Sequence, residues 1–340
     1  MIASRVVNCF DGFKKELSYL AVLLFVLLSV IRYLYVSGGI YFDSVEHIYA
    51  SWLISDGKQP YKDFFEHHNP LLWYLFAPVT KFFYRDIMIF YVARAMALAG
   101  NFACMYMVYK IVLSIYDKRS AVFAILMLFI FPMWGDILTF RPDVFMSLFF
   151  LLSVFWNIKY LDYAKRRYLL LSYCSLVISF AFLQKVAFLG IGFVLANCCL
   201  VIKNKIKIKD FFIAGFSALA LLLLMISFLW YEGILAEWWH YNFIYNMQLK
   251  TYYRTYESGM PHFLKFFTLL VGLAVIRFYR ISDKILLILL PWCMMTISLL
   301  MFFPHTQYVY NFIYLSAIIL GGAFAKRLRV CYHKQMKGWC

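Results

Sequence analysis

The chain has 340 residues, of which 64% are hydrophobic, 21% aromatic and 15% charged, with a formal net charge of +16. A soluble domain carries about a quarter charged residues and under half apolar ones, so this composition excludes a water-soluble globule. Long apolar runs without the alternation of barrel strands point to an all-α membrane protein, a single polytopic transmembrane domain over 1–340.

In chain order, apolar stretches bounded by charged clusters predict ten spans: about 17–36, 92–113, 120–134, 143–161, 168–183, 186–202, 211–231, 261–277, 284–303 and 307–325. Several fall short of the ~20 residues that cross a hydrocarbon core, which calls for local bilayer thinning or burial among neighbours. The first span is long and has no small-residue cleavage site after it, so it reads as a retained helix and not as a signal peptide. With both termini and the even-numbered loops on one side, that side holds 22 of the 33 Lys and Arg against six acids (Asp11, Glu16, Asp117, Asp162, Asp210 and Asp283). Bases and acids cancel at eleven each elsewhere, so the whole excess lies on one face, which the positive-inside rule makes cytoplasmic. Nucleic acid drops out as the explanation of the charge.

The expected outer side differs in kind. It carries six of the seven His (47, 67, 68, 240, 262 and 305) and two long loops, 37–91 and 232–260. The cytoplasmic loops are short and lack a nucleotide-binding glycine pattern. None of the eight Cys falls in an outer loop and no CxxC occurs, so neither a disulfide framework nor a cysteine zinc site is implied.

The first outer loop, 37–91, carries the strongest signal. Val45, Ile48, Tyr49 and Trp52 recur at helical spacing and predict an amphipathic helix lying in the membrane interface, with Asp43, Glu46, His47 and Ser51 on its other side. Asp56-Gly57 reads as its stop. Asn69-Pro70 predicts a second interfacial helix with Asn as cap and Pro in the first turn. Asp43-x-x-Glu46 and Asp63-x-x-Glu66 also fit a capping-box-like pattern in which the acids only satisfy free amides. Against that stands the density of Asp43, Glu46, His47, Asp63, Glu66, His67 and His68 in one short stretch of an otherwise apolar protein. The Glu66-His67-His68 cluster could bind a divalent metal, with Glu66 and His68 as its ligands, the one cofactor the sequence suggests.

Asp43, followed by Gly57-x-x-Pro60-Tyr61-x-Asp63-Phe64-Phe65-Glu66-His67-His68-x-Pro70-Leu71-Leu72, resembles the first outer loop of polytopic GT-C glycosyltransferases. The closer resemblance is to the bacterial branch related to dolichyl-phosphate-mannose protein mannosyltransferases and the lipid A aminoarabinose transferase. It implies a polyprenyl-phosphate-linked sugar donor, Asp43 as catalytic base and a bacterial inner membrane with the site facing outward. Many members follow that Asp with Glu where this chain has Ser44, which leaves open whether Glu46 substitutes. Glu66 resembles the Glu of a Glu-Lys pair in some relatives, with His67 standing where their Lys would be.

Arg141-Pro142-Asp143 resembles an Arg-Pro-Asp that many of these transferases show at the outer end of the fourth span. A simple Arg141–Asp143 or Asp136–Arg141 pair fixing the loop is the plainer account. Gln184-Lys185 is the only polar break between the basic clusters that flank 168–202, so Lys185 sits at the outer turn of a hairpin. There it either snorkels to the headgroups or offers a point charge to a lipid-linked phosphate. Pro304-His305-Thr306-Gln307-Tyr308 opens the last span, where the family often has an aromatic, polar motif near the lipid carrier.

The sequence therefore suggests an inverting glycosyl transfer to an acceptor hydroxyl on a glycan, lipid or protein. Asp43 and Asp143 are its catalytic carboxylates, and Lys185, Arg141, Glu46, His67, His305 and Gln307 its candidate substrate and phosphate contacts. A transporter or flippase of lipid-linked sugars is the rival class, although charges gathered at one face and the lack of an internal repeat argue against it. A non-catalytic subunit that binds a lipid-linked sugar is the third reading.

Overall fold

The computed structural model describes residues 42–130, 137–248, 268, 271–272, 282–301 and 313–323. Among these the chain is helical, with no strand; Pro60 and Phe64 form one isolated bridge. The helices are α1 (Phe42–Ser55), α2 (Leu71–Phe82), α3 (Met88–Ile115), α4 (Lys118–Ile130), α5 (Pro142–Tyr163), α6 (Arg166–Phe182), α7 (Val186–Ile202) and α8 (Ile208–Tyr231). A short α9 (Leu235–Trp239) runs into a π-helical turn (His240–Tyr245), and α10 (Asp283–Met301) and α11 (Ile313–Ala323) follow.

Of these, α3, α5 and α8 are long and apolar enough to cross a membrane; α7 and α11 are apolar but shorter. The helices agree with the expected spans within a few residues at 92–113, 143–161, 168–183, 186–202, 211–231 and 284–303. Ten crossings are not established by them: span 17–36 and nearly all of 261–277 lie outside the described residues.

Local sequence explains several boundaries. Helix α1 stops before Asp56-Gly57, where Gly57 takes φ +79°, a conformation that costs a residue without Cβ little. Helix α5 starts as expected at Arg141-Pro142: Arg141 is extended (φ −141°, ψ 150°) and Pro142 takes the first turn, where its missing N–H is no loss. Three residues, Leu183 to Lys185, join α6 to α7 in the hairpin that the polar break foretold.

Core packing runs α1 on α2, α3 on α4 and α5, α5 on α6, α6 on α8 and α7 on α10. A Cβ on Gly192 of α7 would stand 2.6 Å from Leu290 O and Pro291 Cα of α10, so only glycine permits that approach. The two ends of this bundle differ. One gathers α1, the 56–70 segment, the start of α5, the α6–α7 hairpin and α9. The other gathers the basic turns at 163–167 and 202–209, tied by Arg166–Asp210 (2.7 Å), Lys203–Asp283 (3.4 Å) and Lys284–Asp162.

Of the expectations for the first loop, one holds in part and one is corrected. The expected helix is present as α1, but its stripe is split: Ile48 is buried with Ser44, His47, Ala50 and Ser51, whereas Val45 and Tyr49 are exposed. The polar face is needed inside for hydrogen bonds, and an apolar face needs no shelter where the solvent is lipid. Asn69 does not cap α2, whose flanking residue is Pro70. Its amide is committed elsewhere, donating to Phe180 O and accepting from Trp238 Nε1 at 2.9 Å.

Candidate active site

The first end of the bundle holds a charged network in otherwise apolar surroundings. Asp43 enters from the first turn of α1, with Arg141 and Asp143 at the start of α5 and Lys185 on the α6–α7 hairpin. Arg141 Nη1 lies 3.0 Å from Asp43 Oδ2 and Arg141 Nη2 lies 3.3 Å from Asp143 Oδ2. Lys185 Nζ reaches Asp143 Oδ1 at 3.7 Å. Arg141 and Asp143 are buried, while the Asp43 side chain is 31% exposed. Asp43 is therefore the most accessible carboxylate of this chain of pairs.

The plainer account of Arg141, a pair with Asp143 fixing the loop, is half of what is found: the same guanidinium also takes Asp43 from another segment. Snorkelling is not the state of Lys185. Its side chain is 14% exposed and turned onto Asp143, because a cation in an apolar hairpin gains more from a buried carboxylate than from a distant interface. Burial presses its ammonium below the usual lysine range, with Asp143 holding the charge in place.

Ser44 accepts the Phe140 N–H on its hydroxyl at 2.9 Å. That bond holds the backbone just before Arg141. Glu46 is turned another way, toward Glu66 and His68: His68 Nδ1 is 3.3 Å from Glu66 Oε2 and 3.9 Å from Glu46 Oε1. Burial, then the neighbouring Glu66 and Asp43 charges, push the Glu46 carboxyl up to about 7, and burial pushes Glu66 up to about 8. Burial drives the His67 and His68 imidazoles down to about 3, with the charge of Lys185 acting the same way, so both rings are neutral at pH 7. One ligand atom from each of Glu46, Glu66, His67 and His68 lies within 4.8 Å of the others.

The structure thus brings together Asp43, Glu46, Glu66, His67, His68, Arg141, Asp143 and Lys185 from the sequence-derived set. His305 and Gln307 lie outside the described residues, as does Asp136. Asp63 is not in the network; its carboxylate accepts the Gln59 N–H at 2.7 Å and only shapes the loop. His240 is exposed and packs edge-on against Tyr241.

Several further residues, not assigned to the site from sequence, support this network. His47 is buried edge-to-face with His68, ring centroids 5.1 Å apart, and its Nδ1 accepts from Trp73 Nε1 at 3.1 Å. Gln184 Nε2 and Asn246 Nδ2 both donate to the His67 carbonyl at 2.9 Å, and Tyr61 donates its hydroxyl to the His68 carbonyl. Asn69 and Trp238 add a further tie between the 66–70 segment and α9. Lone amides in apolar or aromatic stretches were the available signal for Gln184, Asn242 and Asn246. Nothing local in the sequence marks Trp73.

Residues 67–231 match the family model of dolichyl-phosphate-mannose-protein mannosyltransferases, which is of the GT-C type. The match includes Arg141, Asp143 and Lys185 and begins at His67, so Asp43, Glu46 and Glu66 precede it. It indicates a glycosyltransferase, and with the long apolar helices an integral membrane protein. No curated protein and no solved structure matches the chain.

Proposed function

We propose that this chain, a glycosyltransferase by its match to the mannosyltransferase family, moves a sugar from a polyprenyl-phosphate donor to an acceptor hydroxyl at the outer face of a bacterial inner membrane, with inversion. The observation that carries this reading is the Asp43–Arg141 pair. It joins an acid outside the matched residues to a guanidinium inside them, and so assembles one site from two separate segments.

Glycosyl transfer from a lipid phosphate needs a base for the acceptor proton, negative charge near the anomeric carbon and cations for the departing phosphate. Asp43, about a third exposed, is the base. Asp143, buried and held by two cations, supplies a fixed negative charge whose orientation no longer costs anything at the moment of reaction. Arg141 and Lys185 take the phosphate: a guanidinium offers five donors in a fixed fork, and an ammonium acts as a point charge. A single displacement by one base inverts the anomeric centre. Both termini are cytoplasmic in this reading, and the neutral end of the bundle faces outward.

The experiment incubates membranes containing the chain with a panel of radiolabelled polyprenyl-phosphate sugars and follows which label leaves the lipid. Transfer that is lost in Asp43→Asn supports the reading. Full activity of that variant overturns the assignment of the base, and no transfer from any donor by the active-sequence chain overturns the enzyme.

A further inference from the structure

We propose that Glu46, Glu66, His67 and His68 form a binding site for one divalent transition-metal ion of the zinc, cobalt or manganese kind. The inference does not depend on the transferase reading, because none of the four residues is the base or a phosphate ligand in the mechanism above.

Charge is the first argument. The network as a whole sets four carboxylates (Asp43, Glu46, Glu66 and Asp143) against one guanidinium and one ammonium. Four carboxylates against two cations leave a formal excess of two negative charges when all are ionised, the complement of one divalent ion. The excess is also local. Asp43 and Asp143 are paired with Arg141 and Lys185, so it falls on Glu46 and Glu66, the two carboxylates that face each other. Buried carboxylates in that position either retain protons or share a cation.

Geometry is the second. Four donor atoms within 4.8 Å of one another need only a small inward movement to meet around an ion whose tetrahedral ligands stand about 3.4 Å apart, given bonds of about 2.1 Å. His67 Nδ1 is buried beside the cluster with no hydrogen-bond partner. The backbone that carries the two imidazoles is fixed by outer contacts, since the His67 carbonyl takes two amide donors and the His68 carbonyl takes the Tyr61 hydroxyl. Such support orients ligands before an ion arrives.

Donor chemistry selects the metal. Two imidazoles and two carboxylates suit zinc, cobalt or manganese, whereas Mg²⁺ and Ca²⁺ prefer sites built of oxygen alone. A bound ion would tie the 66–68 segment to α1. The sequence pointed to the Glu66-His67-His68 cluster; the fold adds Glu46 from α1.

The test uses the full chain, purified without a histidine tag, stripped with a chelator and titrated with Co²⁺. Visible d–d absorption saturating at about one equivalent, displaced by Zn²⁺ and unmoved by Mg²⁺, is the expected result. Glu66→Gln and His68→Asn should weaken binding by more than about 100-fold, since loss of supporting contacts alone costs 10–100-fold. Asp43→Asn should retain the spectrum. No saturable Co²⁺ spectrum, or one that survives both ligand variants, overturns the site. Should those variants fail to fold, X-ray absorption on the unaltered zinc-loaded chain decides. About two imidazole donors in the ligand shell support the site, and a shell without imidazole overturns it.

Discussion

The Arg141 guanidinium holds the Asp43 carboxylate at 3.0 Å while its other terminal nitrogen holds Asp143 at 3.3 Å. The two acids share a cation but not an environment. Asp43 is about a third exposed, and Asp143 is almost wholly enclosed. Their variants should therefore fail in different ways. Asp43→Asn is expected to lower transfer by about 10²–10⁴-fold, the usual contribution of a positioned base, with membrane expression and thermal stability near those of the parent. Radiolabel transfer read beside a melting curve checks both parts.

Asp143→Asn leaves Lys185 and Arg141 buried with one carboxylate fewer. Breaking a buried pair from one side typically costs about 3–5 kcal/mol, because the remaining charge is stranded. The variant should express poorly and melt several degrees lower. Replacing both partners, Asp143→Asn with Lys185→Met, should cost less than the sum of the single changes. A thermal double-mutant cycle in detergent measures the difference.

Stability should depend on pH through the first-loop carboxyls. Glu46 and Glu66 are raised to about 7 and about 8, so over the range from their unfolded values near 4.5 up to 7–8 the folded state binds more protons than the unfolded state. Stability from these groups therefore falls as pH rises through that window. His67 and His68, lowered to about 3, act in the opposite sense between about 3 and 6.5. The two effects oppose each other below about 6.5, and the carboxyl effect stands alone from about 6.5 to 8. Metal-free protein should lose thermal stability across that upper range, and Glu46→Gln with Glu66→Gln should flatten the profile. A flat profile in the parent would count against the carboxyl contact.

Glycine substitutions separate packing from the site. Gly192→Ala would drive a methyl into the backbone of Leu290 and Pro291 at 2.6 Å, where no flexible side chain can yield. A loss of about 1–3 kcal/mol is expected from such overpacking. Gly215 on α8 has nothing within 4 Å of an added Cβ, so Gly215→Ala should be neutral or stabilising by up to about 1 kcal/mol through helix propensity. Melting temperatures of the two variants give the comparison.

The helices were legible because apolar runs and basic clusters mark both ends of a span, and a single polar break located the α6–α7 hairpin. Arg141, Asp143 and Lys185 were legible for a related reason: a charge in apolar surroundings is costly, so its presence signals a partner. Which partner was not legible. Arg141 meets Asp43 and Glu46 meets Glu66 only because α1 packs on α2 and near α5, and pairings set by packing leave no local pattern. The same holds for Asn69, whose place before Pro70 fits a cap equally well. Only the position of Trp238 and Phe180 shows that its amide is taken. Periodicity identified two sides of α1, and the fold adds that the side carrying Ser44, His47 and Ser51 is the one packed inside.

That orientation of α1 reverses the usual map of mutational tolerance. On a helix of a water-soluble protein, changes at serine and histidine are the cheap ones and changes at valine and tyrosine the costly ones. Here Val45 and Tyr49, both exposed, should accept leucine or phenylalanine with little consequence, while larger residues at the buried Ser44 or Ser51 should be costly. A library built on hydrophobicity alone would conserve the wrong half of the helix and randomise the half that holds Arg141 in place.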